Sequence, residues 1–119
     1  MRRLIQSLIV ALHGIKLQFL KGGNFTLQII VALLVALLAA ILHVSKMEWL
    51  ILLLFIGLVL SFETLNSAIE ELCDFNTHEK NEKIKRIKDL SAGAVLILSI
   101  FSLIAGLLIF LPRIISCLV

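Results

Sequence analysis

Phe62-Glu63-Thr64-Leu65-Asn66-Ser67-Ala68-Ile69-Glu70-Glu71-Leu72-Cys73-Asp74 is the polar end of an apolar run that begins at Trp49. Glu63, Asn66, Glu70 and Asp74 recur at offsets of three, seven and eleven from the first. At helical pitch these four side chains fall within a wedge of roughly 80°. Ser67 belongs to the same face. A helix entering this stretch from its apolar side therefore carries one acidic stripe.

The depth of that stripe gives it meaning. The uncharged segment from Trp49 to Phe62 is too short to cross a hydrocarbon core, which takes about 20 helical residues. A spanning helix must continue through Glu63 and Asn66 to about Ile69. Glu63 then sits roughly 21 Å along the span from Trp49, near the far interface. A carboxylate at that depth costs ~2.5–3.5 kcal/mol on insertion scales, so such groups face a bundle interior and carry function. The alternative is a soluble core helix whose polar end lies in water.

Composition favours the membrane. Of 119 residues, 61% are hydrophobic, and the mean hydropathy is +1.11. A soluble domain of this size is nearer half apolar and cannot hide so much greasy surface. The expected fold is an all-α membrane protein forming one domain over residues 1–119. The net charge of +3 is modest and lies beside apolar segments, so no nucleic-acid partner is indicated. Cys73 and Cys117 form no CxxC motif and suggest neither a zinc site nor a disulfide framework. His13, His43 and His78 are too scattered to form a metal site by spacing.

Residues 1–21 read as an amphipathic surface helix, with Leu4, Ile5, Leu8, Ile9, Leu12, Ile15 and Phe19 at helical spacing. A signal peptide is the weaker reading, because polar residues interrupt the apolar run and no small-x-small cleavage site follows. Gly22-Gly23-Asn24 supplies a turn. Residues 25–44 make a first span, and 49–74 a second span with its cytoplasmic extension. A polar and basic loop is expected over 75–87. Residues 88–111 form a third span, uncharged from Ala92 and ended by Pro112 and Arg113. The amino-terminal segment and the Lys80–Lys88 loop hold nine of the eleven Lys and Arg residues on one side of this topology. The positive-inside rule places that side, and the exit of the stripe, in the cytoplasm.

Lys88-Asp89 opens the third span on the side where the stripe emerges. Carboxylates for Mg²⁺, a lysine for phosphate charge and an acid at membrane depth for a lipid hydroxyl together permit phosphoryl transfer. Neither a P-loop nor a protein-kinase glycine-rich loop is present. The same intramembrane acids would also serve a cation-conducting oligomer, and chemistry alone does not choose between the two.

Glu63-Thr64-Leu65-Asn66-Ser67-Ala68-Ile69-Glu70 followed by Asp74, then Lys88-Asp89-Leu90-Ser91-Ala92-Gly93-Ala94, resembles the prokaryotic diacylglycerol kinase and undecaprenol kinase family. The resemblance covers almost the whole chain in length, span order and motif spacing. It implies a homotrimer of three-span subunits, located in the bacterial inner or plasma membrane, with active sites shared between neighbours. It also implies ATP as donor, Mg²⁺ as cofactor and a lipid alcohol, diacylglycerol or undecaprenol, as acceptor.

Carried over by position, Glu63 would take the proton of the lipid hydroxyl and Glu70 would bind the metal. Asn66 would orient carboxylates or substrate. Asp74 and Asp89 would organise the nucleotide site, with Asp89 also near the chemistry, and Lys88 would meet phosphate. Arg3 and Glu79 match positions that contact nucleotide. Simpler readings stand beside these: interhelical hydrogen bonding for Asn66, interfacial snorkelling for Lys88, and solvation for Arg3 and Glu79.

The chain departs from the family's pattern at the turn before the first span. A glutamate that joins the Glu70-equivalent at the metal is typical there, and this sequence has Gly22 followed by Gly23. The expectation is a raised Mg²⁺ requirement or reduced turnover, and in the extreme a catalytically impaired lipid-binding homologue.

Overall fold

Long apolar stretches separated by short polar turns leave the backbone one way to satisfy its own hydrogen bonds in lipid, which is helix. In the computed structural model, which describes residues 1–76 and 81–119, the chain forms α1 (Arg2–Lys21), α2 (Asn24–Ile41), α3 (Lys46–Asn76) and α4 (Glu82–Leu118). These four helices are each long and apolar enough to cross a membrane, α1 being the least apolar. No strand occurs among the described residues.

Two consecutive glycines with positive φ, Gly22 at 72° and Gly23 at 68°, turn the chain from α1 into α2. Both have ψ of −139°, a region that only glycine occupies without strain. The turn lets Phe19 meet Phe25 edge to face, with ring centroids 5.0 Å apart. At the opposite end of α2, the next helix starts on a reciprocal cap. Ser45 N donates to Glu48 Oε1 at 3.0 Å, and Glu48 N donates to Ser45 Oγ at 3.2 Å.

The main packing is α3 against α4, with α2 laid along α3. Ala39, Val44, Leu52, Ile109 and Phe110 form a small buried cluster near the α2–α3 turn. Beyond it, large apolar side chains such as Leu33, Leu54, Leu103 and Leu108 stay exposed. Their number far exceeds what water tolerates on a monomer, and lipid or further copies of the chain would cover them.

Two expectations are corrected. Pro112 does not end the last helix, which runs on to Leu118. Proline removes one backbone hydrogen bond, but Arg113 anchors the helix beyond it. Its guanidinium forks onto Glu48 and donates through one Nη to the carbonyls of Leu42 (3.5 Å) and His43 (3.3 Å). Of the polar segment expected as a loop over 75–87, residues 75–76 and 82–87 are also helical. Helix α3 persists to Asn76, and α4 starts at Glu82 because Asn81 caps it, accepting from Lys83 N at 2.9 Å and Ile84 N at 3.4 Å. With Glu82 in the first turn, this charged stretch suits a helix start.

Candidate active site

Helix α3 carries the stripe as its periodicity predicts, and the structure grades it by depth. Glu63, Asn66 and Ser67 are each 7% exposed, Glu70 is half-buried and Asp74 is exposed. Burying a carboxylate and an amide side by side demands partners. They come from α2 for Glu63, from α1 for Ser67 and from α3 itself for Asn66.

The deepest member, Glu63, receives a long hydrogen bond at Oε2 from Gln28 Nε2 of α2, at 3.5 Å. Gln28 Oε1 is buried and has no partner among the described residues. One turn further, Asn66 Nδ2 donates to Glu70 Oε1 at 3.3 Å, and Asn66 Oδ1 is likewise buried and unpartnered among the described residues. Gln18, the one buried residue of α1, donates to Ser67 Oγ at 3.1 Å. Lys21 then reaches α3 from the end of α1. Its Nζ donates to the Ser67 carbonyl at 3.3 Å and lies 3.6 Å from Glu70 Oε2.

Asp74 pairs with Lys88, so α3 and the start of α4 are bridged one turn beyond Glu70. The neighbouring Asp89 points elsewhere. Successive helical residues diverge by about 100°, and Asp89 pairs with Lys85 at 2.7 Å on an exposed face of α4. Beside that carboxylate the Lys85 ammonium is held above its ordinary range, chiefly by the hydrogen bond itself. Arg3 is exposed on α1, away from this cluster. Glu79 lies outside the described residues.

Within one chain, then, Glu63, Asn66 and Glu70 are brought together, Asp74 and Lys88 meet below them, and Asp89 and Arg3 do not join. Gln18, Lys21 and Gln28 are partners that the stripe alone does not reveal. The available signal is slight: Gln28 is polar in a nearly unbroken apolar span, and Gln18 and Lys21 are three residues apart on one helix face.

An apolar groove runs between α2, α3 and α4, lined among others by Val31, Val35, Phe55, Val59, Leu103 and Gly106. Gln28 lies on its wall, so the groove adjoins the residue that holds Glu63. An open apolar groove with a polar side chain on its wall, one hydrogen bond from a buried carboxylate, suits a long hydrocarbon with one polar end.

The family model for prokaryotic diacylglycerol kinase matches residues 9–110. The chain belongs to the prokaryotic diacylglycerol kinase family. It is 36% identical over 113 residues to the undecaprenol kinase of Bacillus subtilis, covering 95% of this chain and 92% of that protein. It is 31% identical over 117 residues to the diacylglycerol kinase of a Synechocystis species, covering 98% of this chain and 67% of that protein. Membership makes lipid kinase the class of its activity, and an ion-conducting bundle or a non-catalytic lipid binder is not favoured.

A kinase of this kind implies a divalent cation, and the residues present fit Mg²⁺. Among the described residues no three His, Cys, Asp or Glu side chains converge as a protein cage. Glu70 nevertheless offers a half-open carboxylate, and the unpartnered Asn66 Oδ1 is a second hard oxygen within a turn. Mg²⁺ takes few protein ligands and fills its octahedron with phosphate and water, so a full protein cage is not required.

Proposed function

We propose that this protein transfers the γ-phosphoryl group of ATP to the hydroxyl of a membrane lipid alcohol, undecaprenol or diacylglycerol. The observation that carries the reading is the buried Glu63, hydrogen-bonded to Gln28 on the wall of an apolar groove and continuous with the polar cluster of Asn66, Glu70, Lys21 and Ser67. One end of this arrangement suits a hydrocarbon and the other suits a phosphate.

In the proposed reaction the lipid tail occupies the groove and its hydroxyl meets Glu63. The carboxylate accepts the hydroxyl proton as the alcohol oxygen bonds to the γ-phosphorus and the bond to the β–γ bridging oxygen breaks, releasing ADP. Gln28 fixes one oxygen of Glu63, and burial excludes the water that would otherwise compete as acceptor. Glu70, with Asn66, would hold Mg²⁺. When bound, that ion would neutralise phosphate charge and orient the β- and γ-phosphates. Lys88 and Asp74 hold the start of α4 against α3 and are placed to organise the nucleotide's outer part.

The active assembly is a homotrimer in this reading, with the Asp89 face of one subunit meeting the stripe of its neighbour. In support, Asp89 lies off the stripe within the chain and much apolar surface is left uncovered. The basic amino-terminal segment and the segment joining α3 to α4 are cytoplasmic, where ATP is available, and the chain resides in a bacterial inner or plasma membrane. Arg3 and Glu79 are candidates for peripheral nucleotide contacts.

The test is radiolabelled ATP presented with each lipid in detergent micelles. Label in undecaprenyl phosphate or in phosphatidic acid is the expected result and names the acceptor. Label in neither, with the protein folded, overturns the reading.

A further inference from the structure

Lys21 is the last residue of α1, and its side chain reaches into the stripe of another helix. An ammonium has three donor protons. One is spent on the Ser67 carbonyl at 3.3 Å. The 3.6 Å separation from Glu70 Oε2 is an ion pair longer than a good hydrogen bond. The two side chains are 36% and 40% exposed, so this cation can still accept a further anion.

The opposite oxygen, Glu70 Oε1, is engaged by Asn66 Nδ2. The Glu70 carboxylate is thus held on one side by an amide and on the other by a cation. A divalent ion arriving at Oε2 cannot share that position with an ammonium, because like charges within about 4 Å repel strongly in a partly buried site. The lysine must yield, and a phosphate brought by the same nucleotide is an anion able to receive it. The turn that follows leaves open space around it: a Cβ placed on Gly22 or Gly23 would meet nothing within 4 Å.

We propose that Lys21 is a transferable counter-ion of the nucleotide site, neutralising Glu70 in the empty protein and moving to a nucleotide phosphate when the metal is delivered. This inference rests on the kinase reading given above. It makes Lys21 a residue that opposes binding of metal alone and favours binding of nucleotide.

The two effects have opposite signs, which a merely structural lysine would not produce. The full-length protein in detergent is titrated with Mn²⁺ alone, followed by the paramagnetic signal of the free ion, and with MgATP by calorimetry. Lys21→Met is expected to tighten Mn²⁺ binding about threefold or more through loss of a neighbouring positive charge. It should weaken MgATP about tenfold through loss of a charge-assisted hydrogen bond. Lys21→Arg should restore MgATP binding. Failure of either arm of the Met variant, with both affinities unchanged or both falling together, overturns the inference.

Glu70→Gln provides a second route should Lys21→Met fail to fold. It releases Lys21, so ATP in the presence of EDTA should bind more tightly than to the wild type, and equal or weaker binding overturns the proposal. A wild-type protein that neither binds MgATP nor labels either lipid overturns the kinase reading itself. Normal wild-type behaviour beside an unchanged Lys21→Met variant overturns only the role of Lys21.

Discussion

Gln28 of α2 donates to Glu63 of α3 at 3.5 Å, joining the wall of the apolar groove to the deepest carboxylate of the stripe. The bond uses the Gln28 amide nitrogen and leaves its oxygen, Oε1, buried and without a partner among the described residues. A buried acceptor without a donor is costly, by about 1–3 kcal/mol. A lipid hydroxyl entering here would find two acceptors, one of which can also take its proton.

Glu63→Gln should therefore remove the base and keep the shape. Transfer to lipid is expected to fall by about 10²–10⁴-fold, the range of a lost general base. Assembly and nucleotide binding should persist, because Gln retains a carbonyl able to accept from Gln28. Lipid phosphorylation beside size-exclusion behaviour in detergent checks both halves. Transfer surviving at the wild-type rate would remove Glu63 from the mechanism.

If each site joins the stripe of one subunit to the Asp89 face of another, two dead variants should complement. Glu63→Gln and Asp89→Asn are each expected to be inactive alone. After subunit exchange at equal amounts, about a quarter of the interfaces in a cyclic trimer would pair the two intact residues. Lipid phosphorylation should recover toward that fraction. No recovery, with exchange confirmed by differently tagged subunits, would place the whole site within one chain.

Much of this was open to reading along the chain, for physical reasons. Apolar runs such as 25–41 must be helical in lipid, and Glu63, Asn66 and Glu70 share a face whatever surrounds them. What lies across from that face depends on how helices are packed and rotated, which residue spacing does not encode. Gln18, Lys21 and Gln28 therefore emerge only in three dimensions. Asp89 is the instructive neighbour: one residue from Lys88, it is carried around the helix to Lys85 while Lys88 meets Asp74. Pro112 misleads because proline is a strong local stop, here overridden by the Arg113 anchor.

The Gly22 turn sets two effects against each other in a single substitution. Gly22→Glu would add a carboxylate next in sequence to Lys21, whose ammonium lies 3.6 Å from Glu70, and the Mg²⁺ concentration needed for half-maximal transfer should fall. The same change puts a side chain on a backbone with φ of 72° and ψ of −139°. That strain should cost about 1–3 kcal/mol of stability. Gly22→Ala carries the strain without the charge and serves as the control. Thermal unfolding should drop for both variants, while the Mg²⁺ requirement should drop only for Glu. An unchanged requirement in Gly22→Glu would argue against a ligand deficit at this turn.

Glu48 and Arg113 supply a pH test at the opposite end of the bundle. Arg113, together with the Ser45 cap, pulls the Glu48 carboxyl from 4.5 down to about 2. A carboxyl whose folded value is depressed binds its proton more readily in the unfolded chain, so stability rises with pH through that interval. The contribution is fully present above the ordinary carboxylate range and is lost as pH falls from about 4.5 toward about 2. Glu48→Gln should accordingly melt below the wild type at pH 7, with the difference closing on acidification across this window. Arg113→Met removes the dominant cause of the shift and should flatten the same interval. Melting curves of the detergent-solubilised variants decide it. A difference between wild type and Glu48→Gln that stays constant from pH 7 to pH 2 would mean the ion pair does not hold α3 and α4 together.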